Sequence, residues 1–197
     1  EMENTSTWSF PNMNNDKNIL NKIAPNIIYI SHLHTDHFDR KILSKYKNKK
    51  VKILIKEFSD KRLKNKLIEL GYTNIIEIKS WKTYSNTTHE FTIIPCDQSN
   101  SAGISSEVHY DLDTSILIYD KTKKICFYNN VDNPLSIKSL KKLRLLVKKK
   151  YNKIDIASVG PRSASEFPQC FINIDKVKEK KKIIKKYFDL SFEILKV

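Results

Sequence analysis

The chain has 197 residues, 40% of them hydrophobic, with 36 Lys and Arg against 22 Asp and Glu and a formal charge of +14. That balance excludes a wholly disordered chain and suits one domain with a substantial core, so a single domain over residues 1–197 is expected. No apolar run approaches the roughly 18 to 20 residues that span a bilayer, and no basic-then-apolar leader opens the chain, so the expected setting is cytoplasmic, without a membrane partner.

In chain order, the polar first dozen residues lead into an amphipathic stretch from Asp16 to Ile23 and then Pro25. The β-branched and aromatic run Asn26 to Ile30 predicts a buried strand. Asp39 to Tyr46 reads as a helix capped by Asp39, and Val51 to Ile55 as a second buried strand. Lys61 to Leu70 is a helix stopped by Gly71, followed by a strand from Asn74 to Ile78. Thr83 to Pro95 holds two strand-like runs. Further strands are expected at Thr114 to Tyr119, Lys124 to Asn129 and Ile154 to Val159, with an amphipathic helix from Ile137 to Lys149 between the last two. A lysine-rich helix from Asp175 to Tyr187 and a final strand from Leu190 to Val197 close the pattern. Strands and helices alternate and then strands cluster, which predicts an α/β (α+β) sandwich of mixed sheets flanked by helices.

Cys96, Cys126 and Cys170 are odd in number, widely spaced and form no C-x-x-C pair, so they read as reduced, mostly buried thiols and offer no thiolate metal site. The lysine runs Lys148 to Lys150 and Lys178 to Lys186 read as solvated helix faces, so nucleic acid is not the expected partner. A small anionic ligand is compatible with the charge.

The chemistry concentrates in His32-x-His34-x-Asp36-His37, which follows the first strand. The chain has five His, at 32, 34, 37, 89 and 109, and three of them fall within six positions. Imidazole and carboxylate are preferred ligands of Zn²⁺ and related ions. Alternate residues leaving a strand point the same way, so His32 and His34 can reach one ion together. Asp36 and His37 sit on the following turn, where they can address a second ion or a water. Asp36 is the candidate catalytic group, because a carboxylate near an activated water can orient it or take its proton. His89 has no motif around it and reads as a surface histidine.

The motif resembles the signature of the metallo-β-lactamase superfamily, whose fold is a four-layer αββα sandwich. The segments Ile28 to His37, Leu70 to Asn74, Val108 to Thr114, Asn129 to Asn133 and Phe167 to Phe171 are similar, more specifically, to the metallo-β-lactamase-type domain of CMP-N-acetylneuraminate hydroxylase and its bacterial relatives. The resemblance implies that His32, His34 and His109 hold one ion and that Asp132 bridges to a second shared with Asp36 and His37. Asp97, after the run Phe91 to Pro95, is the rival to His109. Asp132 also suits an ordinary turn before Pro134, and Asp113 suits either a hydrogen bond that holds a ligand histidine in place or a cap. Zn²⁺, as one or two ions, is the expected cofactor, with Fe or Mn as alternatives.

The chain also departs from that family's pattern. It begins close to where Trp8 aligns, which implies a sandwich incomplete at the N- and C-termini and an edge left for a second copy or a completing partner chain. No His follows His109, which leaves the second ion weakly held, and no Cys-x-His pair supplies a Rieske cluster. The leading expectation is a metal-dependent hydrolase acting on an ester, phosphodiester, lactone or amide of an anionic, phosphorylated or nucleotide-linked small molecule. The alternatives are an iron-dependent oxidoreductase component and a catalytically degenerate anion-binding module.

Overall fold

The computed structural model describes residues 19–34, 37–97, 113–130, 135–159 and 172–195. The chain divides into two compact units, Glu1–Glu77 and Ile78–Val197.

The first unit runs α1 (Ile19–Ile23), β1 (Ile27–Tyr29), α2 (Arg40–Lys45), β2 (Lys52–Lys56), α3 (Arg62–Glu69) and β3 (Ile75–Ile78). Its strands form one sheet in the order β1-β2-β3, with β1 and β2 parallel and Ile28 opposite Ile53. Central β2 carries the run Ile53, Leu54, Ile55, each essentially inaccessible, as expected of a parallel strand covered on both faces. Both helix signals in the sequence act as anticipated. The Asp39 carboxylate accepts from the Ile42 N–H at 2.9 Å and caps α2. At the end of α3, Gly71 takes φ +86°, where its N–H donates to Ile68 O and the next N–H, of Tyr72, donates to Leu67 O. This is a Schellman arrangement that a residue with a Cβ enters only at a cost. Leu43, Leu63, Leu67 and Tyr72 then pack against Ile53 and Ile55. Strand β1 is shorter and less buried than the sequence suggests: its three residues are half-exposed, and burial begins at Ile30.

The second unit runs β4 (Thr83–Ser85), β5 (His89–Pro95), β6 (Thr114–Asp120), β7 (Ile125–Asn130), α4 (Ile137–Lys150), β8 (Ile156–Val159) and α5 (Lys176–Leu195). A five-stranded sheet follows sequence order. β4 to β7 form an antiparallel meander, and β8 joins β7 in parallel after the α4 crossover. Helix α4 is capped by Ser136, and its Leu140, Leu143 and Val147 pack on Ile94, Leu117, Cys126 and Tyr128. Each such side chain removed from water stabilises the unit by about 1.5–3 kcal/mol.

Residues 190–195 are helical, where a final strand was expected. Leu190 to Ile194 alternates apolar and polar, which favours a strand locally. Ile184, Phe188 and Phe192 recur every four residues, however, and no Gly or Pro interrupts the helix before them, so the longer period prevails. Among the described residues, no helix is long and apolar enough to cross a membrane.

Candidate metal centre

The histidine motif is shaped by what pins it at either side. The Ile30 N–H donates to Leu54 O at 3.1 Å, which extends the β1–β2 ladder one residue past the strand and delivers Ser31 and His32 into buried positions. The turn that follows closes through the His37 and Phe38 N–H groups, both donating to His34 O at 3.0 and 2.7 Å. Phe38 is buried in the first unit's core, and Asp39 begins the α2 cap, so the far side is equally anchored.

This folding gathers the rings of His32, His34 and His37. The His32 centroid lies 4.3 Å from that of His34, at an interplanar angle of 75°, and 4.4 Å from that of His37, at 36°. Ser31 Oγ lies 3.0 Å from His32 Nδ1. Sequence reasoning did not single out Ser31. The signal was available, since metal-ligating imidazoles usually bond a polar group through the other ring nitrogen, and a hydroxyl adjacent in sequence is a natural source.

As a donor set, clustered imidazoles suit a borderline ion of the Zn²⁺ class. Among the described residues, no three His, Cys, Asp or Glu side chains complete an ion's ligand set. The remaining candidates, Asp36, His109 and Asp132, lie outside the described residues, as does Cys170.

Within the second unit, the strands flanking His109 and Asp132 in sequence end at the same side of the sheet. Pro95 pairs with Thr114, Ile116 with Asn129, and Asn130 with Val159, so the chain leaves β5 and β7 and enters β6 at one edge. A buried polar group lines that edge. The Tyr128 hydroxyl donates to Ser115 Oγ at 3.1 Å and to Asn130 Oδ1 at 3.3 Å, and Asp113 Oδ1 accepts from the Thr114 N–H at 2.6 Å. Burial drives the Cys96 thiol and the Tyr128 phenol well above their ordinary pKa values, so Cys96 is an inert thiol.

Asp97 has a different role from the ligand role considered for it. Its Oδ1 accepts from the Ser136 N–H at 2.7 Å, and its Oδ2 accepts from the hydroxyls of Ser136 and Ser139, both at 2.6 Å. Burial alone would raise the Asp97 pKa. The three hydrogen bonds outweigh it and hold the carboxyl below its ordinary value of 3.8. Asp97 therefore ties the end of β5 to the start of α4, and its negative charge sits at the positive end of that helix. His89 opens β5 at the surface, with Nε2 3.8 Å from Asp120 Oδ2, consistent with the surface reading. Cys96 and Cys126 are free and buried, as expected.

No protein-family model matches the chain. A Mycolicibacterium smegmatis protein, named provisionally as a Rieske 2Fe-2S iron-sulfur protein, is 40% identical over 50 residues, which cover 25% of this chain and 10% of that protein. Among solved structures, a variant of the β-hydroxylase CmlA superposes with TM-score 0.56 at 16% identity, over 87% of this chain and 35% of that one. CmlA from Streptomyces venezuelae is described as a diiron enzyme. A possible metal-dependent hydrolase from Veillonella parvula gives TM-score 0.56 at 12% identity, over 87% of this chain and 61% of that one. Isothiocyanate hydrolase from Delia radicum gut bacteria gives 0.51 at 16% identity, over 72% and 51% of the respective chains. The chain thus spans about a tenth to three fifths of the proteins it matches. At such identities the likeness is one of fold: the chain shares the mixed α/β fold of these proteins.

Proposed function

We propose that the chain is a metal-dependent hydrolase of the metallo-β-lactamase type. The observation that carries this reading is the packing of His32, His34 and His37 ring against ring at the exit of β1. His32, His34 and His109 would hold one ion, with Asp36, His37 and Asp132 at a second and weaker position. An ion of the zinc class, when bound there, would supply a water whose pKa is lowered to about 7. The chain's own residues do the rest. Ser31 would orient the His32 ring, Asp36 would orient the water and take its proton, and the His37 and Phe38 N–H bonds to His34 O would hold His34 and His37 in register. The substrate class that fits is an anionic small molecule with an ester, phosphodiester, lactone or amide bond.

Elemental analysis of the purified chain tests this. About one equivalent of Zn, Fe or Mn is expected in the wild type, with a large loss in His32→Ala. A wild type without stoichiometric metal, or a His32→Ala protein with undiminished metal, would sink the proposal.

A second reading, an iron-dependent oxidoreductase component served by a separate electron-transfer protein, is favoured by two of the comparisons, the M. smegmatis relative and diiron CmlA. The two readings separate on metal identity and turnover. Iron retained after anaerobic purification, with dioxygen consumed when a reductant is supplied, supports the oxidoreductase. Zinc with hydrolysis of a panel ester or phosphodiester supports the hydrolase.

A further inference from the structure

Helix α5 carries a large apolar face open to solvent. Val177, Ile184, Phe188 and Phe192 are 66, 43, 59 and 57% exposed, and none of the described residues of α5 is buried. At about 100° per residue these four side chains fall within an arc of roughly 80°, one stripe along 16 of the helix's 20 residues. Phe188 and Phe192 meet at 6.5 Å between ring centroids, so the aromatic part of the stripe is continuous.

Lysines run around the helix, Lys176 and Lys182 among them on the far side, but the acids stay away from the stripe. On the same wheel, the exposed Lys178, Lys180, Lys181 and Lys185 lie within about 80° of the stripe's centre, whereas Glu179, Asp189 and Glu193 lie about 100 to 180° away. Two of these acids already have cationic partners away from the stripe: Glu179 with Lys182, and Glu193 with Arg144 of α4 at 2.9 Å. The exposed face is therefore apolar and cationic without a nearby acid: Lys181 interrupts the stripe between Val177 and Ile184, and Lys178, Lys180 and Lys185 flank it.

We infer that α5 is an interfacial helix that seats the Val177, Ile184, Phe188 and Phe192 stripe in an anionic lipid surface. An apolar stripe with aromatic residues, flanked by lysines long enough to reach headgroup phosphates while their stems lie along the acyl boundary, matches what such a surface requires. The sequence set membranes aside because no apolar run approaches a spanning length, but a helix lying in the interface needs none. Charge complementarity selects this occupant. A second copy docking through the same stripe would bring two lysine rows together, whereas an anionic bilayer neutralises them.

Co-sedimentation of the whole chain with vesicles tests this. With vesicles of phosphatidylcholine and phosphatidylglycerol in equal parts, at about 0.1 M salt, binding at least tenfold tighter than to pure phosphatidylcholine is expected. Phe188→Ser with Phe192→Ser should abolish it, with circular dichroism unchanged. Ile68→Ser, an exposed apolar residue of α3, should leave it intact. Lys181→Gln with Lys185→Gln keeps the stripe and should weaken binding roughly 25-fold through lost attraction alone. Equal binding to both vesicle types, no binding, or binding unaffected by the lysine pair would overturn the inference. So would a dimer that the phenylalanine pair dissociates without any vesicle binding, which would assign the face to a second copy.

Discussion

Asp97 illustrates how one carboxylate's role depends on what surrounds it. In sequence it follows an apolar strand, where a metal ligand would also stand, yet both oxygens are engaged by Ser136 and Ser139. Replacement by Asn keeps the shape but loses the charge and one acceptor, so Asp97→Asn should cost about 2 kcal/mol at pH 7 by denaturant melting. Because the folded carboxyl titrates below 3.8, its contribution is complete above that pH and is lost as pH falls further, through the folded value. The gap between wild type and Asp97→Asn should therefore close in acid, and a gap that widened below pH 4 would contradict this assignment. Ser31 makes a second prediction at the same scale. Ser31→Ala removes the group 3.0 Å from His32 Nδ1 and should lower metal affinity about 10- to 100-fold, read by chelator competition, while leaving the melting curve nearly unchanged.

Among the elements, α4 separates buried from exposed apolar residues within a single turn. Leu143 is fully buried and Leu145 is 70% exposed, so Leu143→Ala should destabilise by about 2–5 kcal/mol and Leu145→Ala by under about 0.5 kcal/mol. Equal costs would mean that the helix packs through another face. Gly71 ends α3 with φ +86°, and an added Cβ would meet only Lys49 Cγ at 3.8 Å, an ordinary contact. Gly71→Ala should therefore cost about 1 kcal/mol, all of it conformational, and a much larger loss would show that the space is tighter than this. Asp39 and Gly71 were legible in the sequence because caps and stops act within a few residues. The end of α5 was not, because Leu190 to Ile194 supports either period and only the continuing helix decides between them.

For the molecule as a whole, the formal charge of +14 is a self-repulsion spread over the chain. Salt screens it over a Debye length of about 10 Å at 0.1 M, so the melting temperature should rise between about 0.02 and 0.3 M NaCl. A fall would mean that the local ion pairs, such as Glu77 with Lys61 and Lys64, outweigh the net charge.

The order of strands and helices as far as α4 and β8, the Asp39 cap, the Gly71 stop and the dense histidine cluster beside Asp36 were determined by the sequence alone, since each depends on residues within about one turn or one strand of one another. Tertiary structure decided the rest. It engaged Asp97 with a helix start 39 positions away, brought the His37 ring to 4.4 Å from that of His32, and left one stripe of α5 uncovered among its lysines. Each of these outcomes depends on which distant surfaces meet and which stay in water, a property of the packed chain that no local pattern encodes.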